Sequence, residues 1–451
     1  MGDTIFALAS APGRAAVAIV RLSGPATGAA LQALTGAQPK TRRPSLKRLR
    51  RPGDGVLLDR ALVLWFASPH SYTGEDVAEL HLHGGAAVID GVTEALLGLG
   101  LRLADPGEFT RRAFEGGKLD LSQAEAIGDL VEAETDAQRR QALSQLDGDL
   151  ARRHAAWREG LIEALALLEA AVDFPDEDLP AEVARGAAPL IADVAREIDA
   201  ALADGERGER VREGFRIALI GAPNAGKSSL LNALAGRDAA IVTPTPGTTR
   251  DIIEVALNLA GYRVLIGDTA GLRAPKGAIE AEGVRRATAL ADAADLRLIV
   301  VDVAARDERW REAAPLARSG DICVLNKRDL APAPAGEAIG AWAKAHDLAV
   351  ADLAVTRDQG VDELREALSA RVVKALAGGE FPAATRARHR QDLIAAAEHL
   401  ARAARALTSP VEVELAAEDV RLAARSLARV TGRVDPEDVL DRVFARFCIG
   451  K

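Results

Sequence analysis

At 451 residues the chain is too long for one ordinary domain, and two to four are expected, with 48% apolar content to fill their cores. No apolar run is long enough to span a membrane and the N-terminus carries no basic, apolar leader, so a cytoplasmic protein with no membrane partner is expected. A net charge of −9 and 3% aromatics exclude a uniformly basic coat and an extended base-stacking platform, and two cysteines far apart, Cys323 and Cys448, supply neither a disulfide framework nor a zinc site.

Residues 1–118 read as one α/β domain. Ala15–Leu22 is expected as a buried strand closed by Ser23-Gly24-Pro25, Ala61–Phe66 as a second, and Val77–His83 as an alternating third. Gly84-Gly85 then opens a helix to about Leu97. The basic stretch KTRRPSLKRLRRP, 40–52, fits an RNA-phosphate patch, but a solvated loop or hairpin face is the better reading. Arg21 at a strand end, Glu79 inside a strand and Lys118 after Gly-Gly stand out, though on spacing alone each is an ordinary surface charge. His81 and His83 share a strand face, and without acidic or Cys co-ligands they read as packing or hydrogen-bonding residues rather than a metal pair.

From Leu119 to Asp173 apolar residues recur at three- and four-residue steps without proline, which predicts one or two long amphipathic helices. DFPDEDLP, 173–180, is an acidic connection, a helix over 181–203 follows, and ADGERGERVREG leads into residues 214–375.

That segment carries a GTPase set. GAPNAGKSS, 221–229, is G-x-x-x-x-G-K-S between an apolar strand, Phe215–Ile220, and a helix expected over Ser228–Ala235 and ended by Gly236. Gly221 and Gly226 let backbone N–H groups close on phosphates, Lys227 brings a charge to the β/γ oxygens, and the Ser228 hydroxyl suits Mg²⁺. Nucleotide contacts are expected from Asn224, Ala225, Gly226, Lys227, Ser228 and Ser229. They continue through the loop Thr243, Pro244, Thr245, Pro246, Gly247, Thr248 and Thr249, whose threonines suit Mg²⁺ and the γ-phosphate. The strand YRVLIGDTAG adds Asp268 for the Mg²⁺ shell, Thr269, Ala270 and the Gly271 N–H. NKRD places Asn326, Lys327 and Asp329 at the base, where Asp329 accepts from guanine N1 and its exocyclic amine; adenine reverses that pattern, so GTP is expected over ATP. The last guanine loop reads Ala354, Val355, Thr356 where such GTPases usually have Ser-Ala-Lys, so backbone contacts survive and the first side-chain contact is lost. Leu272 stands where many GTPases have glutamine and cannot orient water, and no cis arginine finger is identifiable. An Asn224 oxygen with carbonyls of the 243–248 loop could ligate a monovalent cation that does an arginine's electrostatic work.

Residues 376–451 return to helix and end in FCIGK. FCIGK, PNAGKSS, DTAGL, GEDVAELHLHGG and APGRAAVAIVRLSG occur in this order, and the whole chain resembles the MnmE/TrmE family. The resemblance implies an α/β plus all-α protein in four segments. These are an N-terminal folate-binding and dimerisation domain (1–118), a helical domain in two parts (119–213 and 376–451), and a Ras-like P-loop GTPase domain inserted at 214–375. It implies a homodimer that works with an FAD-containing partner, MnmG, on C5 of the wobble uridine of certain tRNAs. A 5-formyl- or methylene-tetrahydrofolate supplies one carbon, and GTP hydrolysis is activated by K⁺ and G-domain pairing. Carried onto this chain, K⁺ falls to Asn224, Thr243, Thr245 and Thr248, and Mg²⁺ to Ser228 and Thr249. Folate falls to Arg21, Glu79, Lys118 and Lys451, and the catalytic positions to Glu280 of the second switch and Cys448. A GTP-driven RNA-binding or ribosome-assembly switch without RNA chemistry is the alternative; the Arg21–Glu79–Lys118 domain and the FCIGK tail favour the modifying enzyme.

Overall fold

The computed structural model describes residues 3–173, 180–204, 206–237, 253–268, 288–305, 308–331, 336–378, 382–408 and 412–434, with positions 440, 443, 444, 447 and 450. The chain forms two compact units, one of residues 1–128, 145–195 and 392–451, the other of 129–144 and 196–391.

The first unit holds a six-stranded sheet of β1 (Ile5–Leu8), β2 (Ala15–Ser23), β3 (Ser45–Arg50), β4 (Leu57–Phe66), β5 (Val77–Gly84) and β6 (Arg102–Leu103), in the order β3-β4-β5-β2-β1-β6. Every pair is antiparallel except β1 with β6. Alternation decides the faces. Phe6, Val20, Leu22, Leu80, Leu82, Val63 and Trp65 point into one core with helices Thr27–Thr35 and Ala86–Gly98. The other face carries Arg21 and Glu79, which are cross-strand partners. The basic stretch is a hairpin face as read: Ser45–Arg50 is an edge strand with Arg48 and Arg50 exposed.

The helical stretch departs from expectation. Instead of one or two helices there are three, Leu121–Glu132, Asp136–Leu146 and Asp149–Asp173. One break is a capping box: the Thr135 hydroxyl accepts from Gln138 N–H (3.4 Å) while Gln138 Oε1 accepts from Thr135 N–H (3.1 Å). The other is Gly148, at φ +87°, where the chain must turn through the left-handed region. Asp149–Asp173 packs on Val413–Val430.

The second unit holds β7 (Phe215–Ile220), β8 (Ile253–Leu259), β9 (Tyr262–Asp268), β10 (Leu296–Asp302), β11 (Ile322–Asn326) and β12 (Ala349–Asp352), in the order β12-β11-β10-β7-β9-β8. Only β8 runs antiparallel to its neighbour. The central strands are continuous apolar runs because both faces are covered, by one core around Leu219, Ile266 and Leu298 and another around Ile220, Ile299 and Cys323. This order with one antiparallel edge is Ras-like, and it leaves the C-terminal ends of β7, β9, β10 and β11 at one rim. The helix after the phosphate loop is Lys227–Arg237, so it passes through Gly236 rather than ending there.

Candidate functional site

The rim of the second unit is built by close backbone approach. β7 ends at Ile220, and a Cβ on Gly221 would lie 2.2 Å from the Val300 carbonyl of β10, so only glycine fits. Gly226 is required twice over: its φ is +99°, and a Cβ there would meet Asn326 Nδ2 at 2.1 Å. Asn224 takes φ +64°, a left-handed position that asparagine tolerates better than most side chains, and it is exposed. Lys227 opens the helix and is 5% exposed, with Nζ donating to the carbonyls of Gly221 (2.7 Å) and Ala222 (2.9 Å). Burial lowers its pKa, against the opposing pull of Asp268.

The Ser228 hydroxyl donates to Asp268 Oδ2 at 2.7 Å, joining the helix start to the end of β9. A hydroxyl beside a strand-end carboxylate is a hard oxygen set. It suits Mg²⁺, which takes one or two protein ligands and keeps the rest for phosphate and water. Among the described residues no cluster of three or more His, Cys, Asp or Glu could hold a metal by itself.

At the base end, Asn326 ties two loops together. Its Nδ2 donates to the Ala225 carbonyl (2.8 Å), and its Oδ1 accepts from Val355 N–H (3.4 Å). Lys327, at φ +63°, sends Nζ to the Asn224 carbonyl (2.8 Å) and to Asp302 Oδ2 (2.6 Å), so it braces the phosphate loop. The Asp329 side chain is 6% exposed and its Oδ1 has no partner among the described residues. An orphaned buried acceptor at this place fits a guanine edge, which brings two N–H donors. Ala354 is buried and its N–H goes to the Gln359 carbonyl, while Val355 and Thr356 lie in the turn that follows. Sequence reasoning missed Asp302, whose only signal was an acid at the end of an apolar strand. Ser229 lies exposed on the helix.

The other expected positions of this set lie outside the described residues: Thr243, Pro244, Thr245, Pro246, Gly247, Thr248, Thr249, Thr269, Ala270, Gly271 and Glu280. Cys448 and Lys451 do as well.

On the open face of the first unit, Arg21 donates to Glu79 Oε1 through Nη2 (2.9 Å) and Nε (3.2 Å). The guanidinium lies 5.4 Å from the centre of the Tyr72 ring and 5.8 Å from that of Phe109. Burial raises the Tyr72 pKa, moderated by its bond with Thr110 and by Arg21. The Lys118 side chain lies over Gly74, its Cε 3.1 Å from where a Cβ would stand. An ion pair beside two aromatic rings, with a second cation, Lys118, over Gly74 of the loop that carries Tyr72, suits a flat polar ring with an anionic tail. Tyr72 and Phe109 were not singled out from the sequence, since nothing local distinguishes them. His81 and His83 hydrogen-bond Glu79 (3.4 Å) and Asp59 (2.7 Å), acidic partners that the sequence did not disclose.

The Ras-like strand order, the phosphate loop with its Ser228–Asp268 pair and the buried acceptor of Asp329 together define a P-loop GTP hydrolase. The model of the GTP-binding protein TrmE N-terminus matches residues 4–118, and that of the MnmE helical domain matches 121–448. The tRNA modification GTPase MnmE of Phenylobacterium zucineum is 60% identical over 100% of both chains, and that of Caulobacter vibrioides 58% over 100% of both. The chain therefore belongs to the MnmE family of tRNA modification GTPases. Among solved structures, the G domain of the T. maritima FeoB iron transporter covers 36% of this chain and 99% of its own, at 24% identity and a TM-score of 0.26; the fold class here rests on strand order instead. Among the described residues no helix is long and apolar enough to cross a membrane.

Proposed function

We propose that this chain is a K⁺-activated GTPase that works in the cytoplasm as a homodimer. With an FAD-containing partner of the MnmG type it installs a (carboxymethyl)aminomethyl group at C5 of the wobble uridine of certain tRNAs, using a tetrahydrofolate one-carbon unit. The observation that carries this reading is the 60% identity to a tRNA modification GTPase over the full length, including the segments outside the GTPase part. A generic GTP switch would be alike in its nucleotide-binding unit alone.

Lys227 and the backbone N–H groups of the loop bind the phosphates, and Ser228 with Thr249 would hold Mg²⁺, which when bound neutralises phosphate charge. Asn224, with Thr243, Thr245 and Thr248, would hold K⁺, which when bound supplies positive charge of the kind an arginine finger provides in other GTPases. The family resemblance assigns Glu280, rather than Glu282, to orient the attacking water, a task that Leu272, with no polar atom, cannot perform. It acts through a bridging water, since a carboxylate beside a triphosphate is repelled. Asp329 and Asn326 recognise the base and its loop. Arg21, Glu79, Lys118 and Lys451 take the folate: the cations meet its glutamate tail, and Glu79 accepts from ring N–H groups. Cys448 is assigned to the uridine chemistry.

The purified protein is expected to hydrolyse GTP faster in KCl than in NaCl at equal ionic strength, and Asn224→Ala to abolish that difference. Equal rates in both salts for the unmodified protein would remove K⁺ activation from the account.

A further inference from the structure

The guanine reading at Asp329 leaves open what sets the plane of that carboxylate, and the inference below rests on that reading. Arg357 forms an ion pair with Asp329, Nε to Oδ2 at 3.1 Å, while Oδ1 is buried without a partner among the described residues. Arg357 closes the short turn Val355–Arg357 and is 61% exposed. The loop carrying it is stitched to the NKRD loop at two points: Arg328 N–H donates to the Leu353 carbonyl (3.1 Å) and Val355 N–H to Asn326 Oδ1 (3.4 Å). Ala354 sits between the stitches, buried, with only a methyl group. The first residue of the loop therefore brings no side-chain donor, and the carboxylate's partner, the Arg357 cation, comes from three residues further on. Just downstream, Arg237 pairs with both Asp358 and Asp362, which pins the far side of the same turn.

Reading guanine requires both carboxylate oxygens in the plane of N1–H and the exocyclic amine. Rotation about an aspartate χ2 is soft, so an unheld carboxylate samples many planes. A guanidinium held 3.1 Å from Oδ2 favours the planes that keep that oxygen beside the cation, and so narrows the rotation. It leaves Oδ1 and the second acceptor site of Oδ2 for the base. We infer that Arg357 is a positioning residue for guanine recognition, orienting the Asp329 carboxylate in place of the side-chain donor that Ala354 lacks.

The test compares GDP with IDP, which lacks the 2-amino group, in titrations of the full-length protein. The unmodified protein should prefer GDP, and the GDP/IDP ratio reports the bond from the amine to the carboxylate. Arg357→Ala is expected to weaken GDP by about fivefold, the order of one solvent-discounted bond to a charged group. IDP should change less than about twofold, so the ratio falls. Ala354→Ser in the Arg357→Ala background is expected to recover part of the ratio by returning a hydroxyl to the loop. An unchanged ratio, or equal losses for GDP and IDP, overturns the positioning role, and a melting curve for each variant separates loop damage from lost recognition. No GDP preference in the unmodified protein would remove guanine reading by Asp329 itself.

Discussion

Asn326→Ala tests how far the phosphate loop depends on the base-recognition loop. The side chain is 2% exposed and makes one strong bond, Nδ2 to the Ala225 carbonyl at 2.8 Å, and one long bond, Val355 N–H to Oδ1 at 3.4 Å. Truncation removes the first bond, worth about 1 kcal/mol. It leaves the Ala225 carbonyl facing a small void, which costs about 1–2 kcal/mol more, while the long bond adds little. The sum is about 2–3 kcal/mol. For a unit of this size that corresponds to a fall of about 4–12 °C in melting temperature. Because Asn326 also lies against Gly226, the loosened loop should release nucleotide faster. Differential scanning calorimetry of the full chain, with GDP dissociation followed by a fluorescent analogue, measures both. Asn326→Asp keeps the shape but turns a donor into an acceptor against the Ala225 carbonyl, and should be at least as damaging. A fall of less than about 1 °C with an unchanged dissociation rate would refute the idea that this amide joins the two loops.

Two further outcomes follow from the first unit. Arg21→Ala should weaken 5-formyltetrahydrofolate binding by at least about tenfold, as loss of a charge-assisted contact implies, and leave GTP affinity intact; an unchanged folate titration would defeat the assignment. Glu108 bonds Arg102 and Arg112 (2.9 Å), and although burial pushes its carboxyl up, the bonds from Arg102, the Asp105 N–H and Arg112 outweigh burial and hold it below its ordinary 4.5. Its contribution to stability is complete above pH 4.5 and is lost as the pH falls through and below that value. Glu108→Gln should therefore lower the melting temperature at pH 6 and flatten its decline toward pH 3, and an unaltered slope would show that the pair contributes nothing.

What could be read from the sequence was what local pattern carries. The phosphate loop was legible because G-x-x-x-x-G-K-S stands between an apolar strand and a helix, β2 and β4 because each contains an apolar run, and β5 because alternation marks its faces. β1 and β6, at four and two residues, carry too little pattern to register. The Thr135–Gln138 box was present as T-x-x-Q but was submerged in a helical periodicity that runs on either side of it. Asp302, Tyr72, Phe109 and Arg357 escaped for a different reason. Each acquires its role from a partner on another element, 25 residues away for Asp302 and Lys327, and no spacing rule anticipates that pairing.

The central claim is that this chain's GTP hydrolysis serves chemistry on tRNA, and nucleoside mass spectrometry of tRNA from cells lacking it is the most direct test. The account predicts that the C5-modified wobble uridine disappears, that the unmodified chain restores it, and that Ser228→Ala does not. A wobble-uridine profile unchanged by the deletion would contradict the account and leave a GTP-dependent binding switch in its place.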